Sequence, residues 1–335
     1  MQHEPAIRHE NLVQLIEIAY AIHVRSLSFM PVGFAAACYR VESAAGAYVL
    51  KLWLAPQSSA QRQRRQRSLQ LTHALATRQI VPVAAPLLTR QGKLWAESAM
   101  GSYALFPWLD ASPLPTVWPA ALQDRWLQTM LSLHRATPHL DDIMLDREDC
   151  ALSFLPGLRA ALAWLDHQDT TVRSGVGAIH ATMVQHRNAM QAQIQRLRML
   201  QQQVRQLPSP FVVCHTDMGG DNLLLDASGE LYVLDWDDAC RAPPAFDLHE
   251  ARWLDMDRLL WQYQQVSGER LYAEHFAFYI LRRAFDDLTA RLLRLRQSRS
   301  VDEDMQLLEG IVTWGIKAWE QLDTTLAPII KVLES

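Results

Sequence analysis

Cysteine is scarce in this sequence, and long apolar runs are absent from it. The 335 residues contain four widely spaced cysteines, Cys38, Cys150, Cys214 and Cys240, none of them in a CxxC pair. This pattern indicates neither a zinc site nor a disulfide framework, so we interpret the cysteines as reduced. No apolar run approaches the roughly 18 residues of a membrane span, and the opening MQHEPAIRHE has no signal-peptide apolar region. We therefore expect a cytoplasmic protein without a membrane partner.

A basic excess is also missing. The formal net charge is -4, with 32 Lys and Arg residues against 36 Asp and Glu residues. A surface that binds nucleic acid normally needs a basic excess on one face, so we expect no nucleic-acid partner. The single arginine cluster, at positions 62, 64, 65 and 67, is interpreted as a solvated helix face. Small cationic substrates are compatible with this acidic balance.

Several motifs of well-known enzyme classes do not occur. The sequence contains no GxxxxGK[ST], HExxH, GxSxG or GxGxxG. Cys214 and His215 are adjacent, but neighbouring residues of a strand point to opposite faces and do not readily form a nucleophile–base pair. We therefore discard the enzyme classes that these four motifs mark, and also a catalytic Cys–His pair.

The chain is longer than one hydrophobic core usually organises, and 49% of its residues are apolar. We therefore expect two lobes. A proline-rich stretch from Pro107 to Pro119 changes the composition and marks the boundary between them. The expected lobes are residues 1–106 and residues 107–335.

The central pattern is VVCHTDMGGDNLLLDASGELYVLDWDD, residues 212–238. It predicts a strand, a loop, a strand, a turn and a third strand, with polar groups gathered where strands end. Asp217 can accept a proton from a hydroxyl group. Asn222 and Asp235 offer the hard oxygen atoms that Mg²⁺ prefers beside phosphate oxygens. The spacing indicates a site for a metal-bridged phosphate.

This stretch resembles the protein-kinase arrangement, in which a catalytic-loop His-x-Asp is followed five residues later by Asn and then by a metal-binding Asp. It is more similar to the aminoglycoside phosphotransferase and choline kinase families, whose loop typically has the sequence His-Gly-Asp-x-x-x-x-Asn. Spectinomycin phosphotransferases are the most similar members, since they share a small hydroxyl residue after the His and an Asp-Trp-Asp metal segment. Thr216 stands where the commonest form has Gly. The resemblance implies an α+β, bilobal protein-kinase-like fold, with a small β-rich nucleotide-binding lobe and a large, mainly helical lobe for catalysis and substrate.

The resemblance also assigns roles in the catalytic loop. Asp217 is expected to be the catalytic base, and Asn222 and Asp235 are expected to bind Mg²⁺, with ATP or GTP as the co-substrate. The remaining residues expected to contact substrate or metal-bound water, or to support this loop, are Asp237, Asp247 and His215.

For the nucleotide, the resemblance implies a hairpin that covers the phosphates and a hinge that binds the base. The residues expected to contact the nucleotide are Gly33 in the hairpin, Lys51 in the following strand, and Ala104, Phe106 and Trp108 at the hinge. With a single glycine, the hairpin around Pro31–Phe34 is a poor match to a Gly-rich loop.

Lys51 is one of four lysines and interrupts the apolar strand Tyr48–Leu54. A lysine in such a run needs either an exposed sheet edge or an anionic partner, because an unpaired buried ammonium group is costly. In the family this lysine contacts the α- and β-phosphates, and the next helix supplies a glutamate to pair with it. No acidic residue occurs between Leu54 and Ala96. We therefore expect Gln66 or Ser68 to give Lys51 a neutral hydrogen bond instead.

Hydrophobic periodicity predicts helices elsewhere in the chain. The glutamine-rich segment 176–207 carries one apolar stripe at helical spacing, which predicts a single long helix. The apolar run from Val81 to Leu88 predicts a strand.

The functional expectation is a kinase that phosphorylates a hydroxyl group of a small molecule. An aminocyclitol or aminoglycoside antibiotic is the first choice of acceptor, which would make the protein a resistance kinase. The alternatives are a kinase for choline, a sugar or a natural-product intermediate, a stress-response protein Ser/Thr kinase, and a nucleotide-binding pseudokinase. The missing helix glutamate motivates the last of these, and the intact trio of Asp217, Asn222 and Asp235 argues against it.

Overall fold

The computed structural model describes residues 3–32, 36–168 and 174–334. The strands are β1 (Val24–Met30), β2 (Ala37–Ser43), β3 (Gly46–Leu54), β4 (Ala96–Ser98), β5 (Gly101–Pro107), β6 (Ala111–Pro113), β7 (Val212–Cys214), β8 (Leu223–Asp226), β9 (Leu231–Val233) and β10 (Cys240–Ala242). The helices are α1 (His9–Tyr20), α2 (Ser59–Thr77), α3 (Ala120–Arg135), α4 (Phe154–Asp166), α5 (Ser174–Gln185), α6 (Arg187–Val204), α7 (Ala245–Leu248), α8 (Met256–Ser267), α9 (Ala273–Leu295), α10 (Val301–Gly310), α11 (Lys317–Glu320) and α12 (Leu322–Leu333).

The chain forms two compact units. The first contains residues 1–147 and 212–241, and the second contains residues 148–211 and 242–335. The N-terminal region is built on a β-sheet and the larger C-terminal part is mainly helical, as the α+β class requires. The central motif, residues 212–238, thus belongs to the same unit as the N-terminal sheet. The lobe boundary after residue 106 stays a prediction.

A five-stranded antiparallel sheet, in the order β1-β2-β3-β5-β4, organises the first unit. Leu50 and Leu52 of the central strand β3 point into a core that α1 completes with Leu12 and Ile16. Because side chains alternate along a strand, Lys51 must point to the opposite face. The sheet therefore buries one face against α1 and turns its lysine to the other.

Helix α2 packs on this second face. It begins with a capping box, in which the Ser58 hydroxyl accepts a hydrogen bond from the Gln61 amide and the Gln61 side chain accepts one from the Ser58 amide. Leu69 of α2 packs with Trp53 and Ala104 in a second buried cluster on the sheet. Ser68 is buried next to Leu69 on α2, whereas the arginines of this helix are exposed or half-buried.

Two predictions of secondary structure are wrong. Residues 81–88 form coil with an isolated bridge at Val83, because Pro82 and Pro86 lack the N–H groups that a strand needs. The helix predicted over 176–207 is two helices, α5 and α6, which are separated at His186.

The second unit is centred on α9, which buries side chains along its whole length. Arg282 of α9 forms a two-pronged ion pair with Glu148, with N–O distances of 2.8 and 3.1 Å. Its guanidinium also lies 4.6 Å from the ring centre of Phe246, which stacks on Tyr279. One turn further along α9 lies Asp286. Burial raises the pKa of Asp286 to about 6, although Arg282 and Arg283 oppose the shift.

In the ranges that the structure describes, no helix combines the length and the hydropathy needed to cross a membrane.

The raised pKa of Asp286 predicts a pH dependence of stability. Between about pH 4 and pH 6 the folded chain holds a proton that the unfolded chain releases, so rising pH destabilises the fold through this window. Asp286→Asn should therefore raise the free energy of unfolding at pH 7 by about 1–3 kcal/mol and give little gain at pH 4. Urea unfolding of both proteins at the two pH values measures this. An equal gain at both pH values would contradict it.

Candidate active site

The hairpin of β8 and β9 brings the ends of the central motif together. Leu223 pairs with Val233, so Asn222 and Leu234 lie side by side just beyond the paired residues. The Leu234 N–H donates a hydrogen bond of 2.8 Å to the Asn222 carbonyl. Asp235 follows directly, and Asp235 and Asn222 line the same cavity.

Asn222 also fixes Asp217. Its Nδ2 donates to the Asp217 backbone oxygen at 2.9 Å and to the Asp217 Oδ2 at 3.1 Å. With Nδ2 directed to Asp217, the carboxamide presents its Oδ1 on the opposite side. The carboxylate and the carboxamide predicted from the sequence are therefore in contact.

His215 forms hydrogen bonds both within its own loop and to the residue before Asp235. Its Nε2 donates to the Leu234 carbonyl at 2.7 Å, and its Nδ1 accepts from the Asp217 N–H at 3.3 Å. These two partners fix the Nε2–H tautomer. The ring is fully buried and meets the edge of Trp236 at 4.7 Å between ring centres. His215 is thus a structural link between the catalytic loop and the segment that carries Asp235.

Thr216 has a φ of +76°, and Asp235 has a φ of +59°. Residues other than glycine reach this left-handed region at a cost, which is greatest for β-branched side chains such as Thr. Glycine is free of that cost, which explains physically why it is commonest at the position of Thr216. Here the Thr216 hydroxyl donates to the Asp238 carbonyl at 3.3 Å, a contact that glycine cannot make.

Lys51 lies on the central strand of the sheet, so the exposed-edge explanation of this lysine is wrong. Its Nζ is 3.0 Å from Asp235 Oδ1. Burial opposes the charge on Lys51, but Asp235 and Asp237 outweigh it and hold the pKa of Lys51 above its usual value. Burial likewise raises the pKa of Asp235, but the charge of Lys51 outweighs it and leaves that pKa below its usual value. Both groups are therefore charged at neutral pH.

The helix partner expected for Lys51 binds elsewhere. Ser68 is buried on α2, and its hydroxyl donates to Asp237 Oδ1 at 3.2 Å rather than to Lys51. Gln66 lines a separate small cleft beside Trp53 and Trp95. A neutral hydrogen bond from α2 to Lys51 was the wrong expectation, because the ammonium already has a carboxylate partner.

A cavity of about 510 Å³ lies beside these groups. Its apolar wall includes Val49, Phe106 and Leu224, and its polar end is formed by Lys51, Ser68, Asn222, Asp235 and Asp237. An apolar wall with a few convergent polar groups is the usual construction of a small-molecule site.

Four further residues are expected to contact the nucleotide, and Asp247 is expected to support the loop. Phe106 and Trp108 line the cavity, whereas Ala104 is fully buried in the cluster with Trp53 and Leu69. Gly33 lies outside the described residues. Asp247 is fully buried in α7 of the second unit. The nucleotide contacts of Phe106, Trp108, Ala104 and Gly33, and the supporting role of Asp247, stay predictions.

Sequence reasoning did not single out Arg64 and Asp238. Arg64 Nη1 lies 3.3 Å from Asp238 Oδ1, so one exposed arginine of the cluster on α2 pairs with the acidic segment. A signal for this pairing was present, because four arginines on one helix complement three carboxylates within four residues.

The sheet, the helices and a lysine opposed to a strand-end carboxylate define a phosphotransferase of the protein-kinase-like class. Residues 26–291 match the phosphotransferase enzyme family (APH), and the chain belongs to this family. It is therefore an enzyme that transfers a phosphoryl group to a hydroxyl group.

Solved structures show the same fold. Spectinomycin phosphotransferase APH(9)-Ia, in complex with ADP and spectinomycin, has a TM-score of 0.77 and 17% identity, over 96% of this chain and 99% of that chain. Choline kinase LicA from Streptococcus pneumoniae has a TM-score of 0.58 and 12% identity, over 91% and 99%. The microcompartment-associated aminopropanol kinase has a TM-score of 0.59 and 17% identity, over 94% and 98%.

The strain at Thr216 generates a prediction. Thr216→Gly relieves about 1–3 kcal/mol of backbone strain but loses a hydrogen bond, a buried methyl group and chain rigidity of similar total, so its stability should lie within about 1 kcal/mol of the native protein. Thr216→Val keeps the strain and removes the hydroxyl, and should destabilise by about 1 kcal/mol or more. Urea unfolding measures both variants. A valine variant as stable as the native protein would contradict the role given to the hydroxyl.

Proposed function

We propose that the protein uses ATP or GTP to phosphorylate a hydroxyl group of a small cationic molecule, with an aminocyclitol or aminoglycoside antibiotic as the first candidate acceptor. The observation that carries this proposal is a pair of contacts, Lys51 with Asp235 and Asn222 with Asp217, which the backbone hydrogen bond from Leu234 to Asn222 connects. Lys51, Asn222 and Asp235 line the cavity. The apolar wall would take the base and sugar of the nucleotide, with Phe106 and Trp108 beside the base. Lys51 would move its ammonium from Asp235 to the phosphates.

Asp217 is the proposed base. Its orientation is set from two sides, by Asn222 at the carboxylate and by His215 at the backbone N–H. A carboxylate in this position would orient the acceptor hydroxyl and take its proton as the phosphoryl group is transferred. The reaction needs positioning and charge neutralisation, and it needs no covalent intermediate.

The residues also fit a magnesium ion. The carboxamide of Asn222 and the carboxylates of Asp235 and Asp237 are hard oxygen donors on one side of the cavity, which is the donor type that Mg²⁺ takes in proteins. When bound, Mg²⁺ would neutralise the phosphate oxygens. Asn222 and Asp235 are the proposed ligands, and Asp237 would hold a metal-bound water or the substrate.

The acceptor is supported less directly than the reaction. The likeness to spectinomycin phosphotransferase and the acidic balance of the chain favour an aminocyclitol. The likeness to choline and aminopropanol kinases favours a smaller amino alcohol as the second candidate. The pseudokinase alternative is disfavoured, because Asn222 is hydrogen-bonded to Asp217 and Asp235 is paired with Lys51.

A panel of acceptors tests the substrate. We expect nucleotide consumption with ATP or GTP to rise on addition of spectinomycin or an aminoglycoside such as kanamycin, and less on addition of choline, 1-amino-2-propanol or glucose. Mass spectrometry of the acceptor checks for the added phosphate. Phosphorylation of choline or aminopropanol alone would replace the antibiotic assignment, and no phosphorylated member of the panel would remove it.

Two substitutions test the roles of the carboxylates. Asp217→Asn should lower turnover by about 10²–10⁴-fold while nucleotide affinity stays nearly unchanged, because the base does not contact the nucleotide. Asp235→Asn should weaken the affinity for nucleotide with Mg²⁺ as well. Asp226, a carboxylate in the hairpin turn that bonds only within that turn, offers the control Asp226→Asn, which should keep turnover. Full turnover by Asp217→Asn would show that the base is a different group.

A further inference from the structure

Three carboxylates crowd into four residues, Asp235, Asp237 and Asp238, and each has a different donor. Lys51 of β3 binds Asp235 at 3.0 Å, Ser68 of α2 binds Asp237 at 3.2 Å, and Arg64 of α2 binds Asp238 at 3.3 Å. Two of the three donors therefore come from one helix.

This arrangement explains how the chain functions without an acidic residue on α2. A helix glutamate would meet the carboxylates of this segment at close range, and like charges in contact are destabilising. The actual helix brings a hydroxyl and arginines, which attract the segment. Helix α2 is thus held to the metal segment itself and not to Lys51.

The two helix contacts differ in strength. The side chains of Arg64 and Asp238 are 61% and 72% exposed, and an exposed ion pair contributes little. Ser68 is 5% exposed, and its hydrogen bond goes to a charged acceptor, which makes it a stronger contact. Ser68 is therefore the donor that determines where Asp237 points.

The choice of a neutral donor has a chemical consequence. Ser68 and Asp237 both line the cavity. An arginine or lysine bonded to Asp237 would add a positive charge to the one that Lys51 already brings, whereas a hydroxyl orients the carboxylate and adds none. A carboxylate oriented in this way offers its oxygen atoms to a divalent cation.

We propose that Ser68 is a positioning residue that directs the carboxylate of Asp237 into the cavity, where it supports binding of the nucleotide together with a divalent cation. This inference rests on the proposed function, because it takes the cavity to be the nucleotide site. Ser68 acts through Asp237 and does not touch the reacting atoms.

The test measures binding of a non-hydrolysable ATP analogue, by calorimetry, with and without Mg²⁺. Ser68→Ala should leave the affinity without Mg²⁺ within about twofold and reduce the Mg²⁺-dependent gain in affinity by about tenfold, the usual size of one lost hydrogen bond to a charged group. The matched control is Thr77→Ala. Thr77 carries an exposed hydroxyl on the same helix that bonds only to backbone oxygens one turn back.

A double-mutant cycle separates positioning from packing. In an Asp237→Ala background, adding Ser68→Ala should change the Mg²⁺-dependent gain by less than about twofold, because the acceptor of the hydroxyl is already gone. An unchanged gain in Ser68→Ala alone, or an equal loss in both backgrounds, would overturn the inference while the proposed function stands. No binding of the analogue by the native protein, with or without Mg²⁺, would overturn both.

Discussion

The contact between Lys51 and Asp235 joins two parts of the sequence that are 184 residues apart. Lys51 lies on the central strand, and its ammonium lines the cavity on the face opposite α1, where a carboxylate compensates its charge. The β8–β9 hairpin supplies that anion, because Asp235 lies two residues beyond Val233, the last paired residue of β9. Asn222 lies beyond the same end of the hairpin, beside Leu234, and holds Asp217.

The pair of Lys51 and Asp235 also bears on which ligands the cavity can bind. While Lys51 binds Asp235, each neutralises the other, and neither is left as an uncompensated charge. A nucleotide with a divalent cation brings both opposite charges at once, so it can take over both partners together. Phosphate alone would compensate the lysine and leave the carboxylate unpaired, and the cation alone would do the reverse. The Lys51–Asp235 pair is therefore consistent with the proposed joint binding of nucleotide and cation.

Local patterns in the sequence predicted the parts that local chemistry determines. The strand around Lys51 and the hairpin around Asn222 each have a clear spacing of apolar and polar residues, and the structure has both. The apolar run at 81–88 gave a wrong strand prediction, because Pro82 and Pro86 remove backbone donors. Segment 176–207 misled because its apolar stripe continues across His186, where the ring takes the Thr182 carbonyl as a partner and the helix is interrupted. The contact of Ser68 with Asp237 spans 169 residues, and no spacing rule encodes a contact at that range.

Two residues of the site have a positive φ. Thr216 precedes the proposed base, Asp217, and Asp235 pairs with Lys51. Such conformations persist only when the surroundings over-determine them. Here the surroundings do so from several directions, because His215 binds both Leu234 and the Asp217 N–H, and the Thr216 hydroxyl binds the Asp238 carbonyl. The bonds from His215 to Leu234 and from Thr216 to Asp238 connect the loop of Asp217 to the segment of Asp235, and the bond from the Asp217 N–H to His215 fixes the loop itself. These bonds therefore hold the two strained residues in place, and in the proposed function they would prearrange Asp217 and Asp235 and so lower the cost of reaching the reactive geometry.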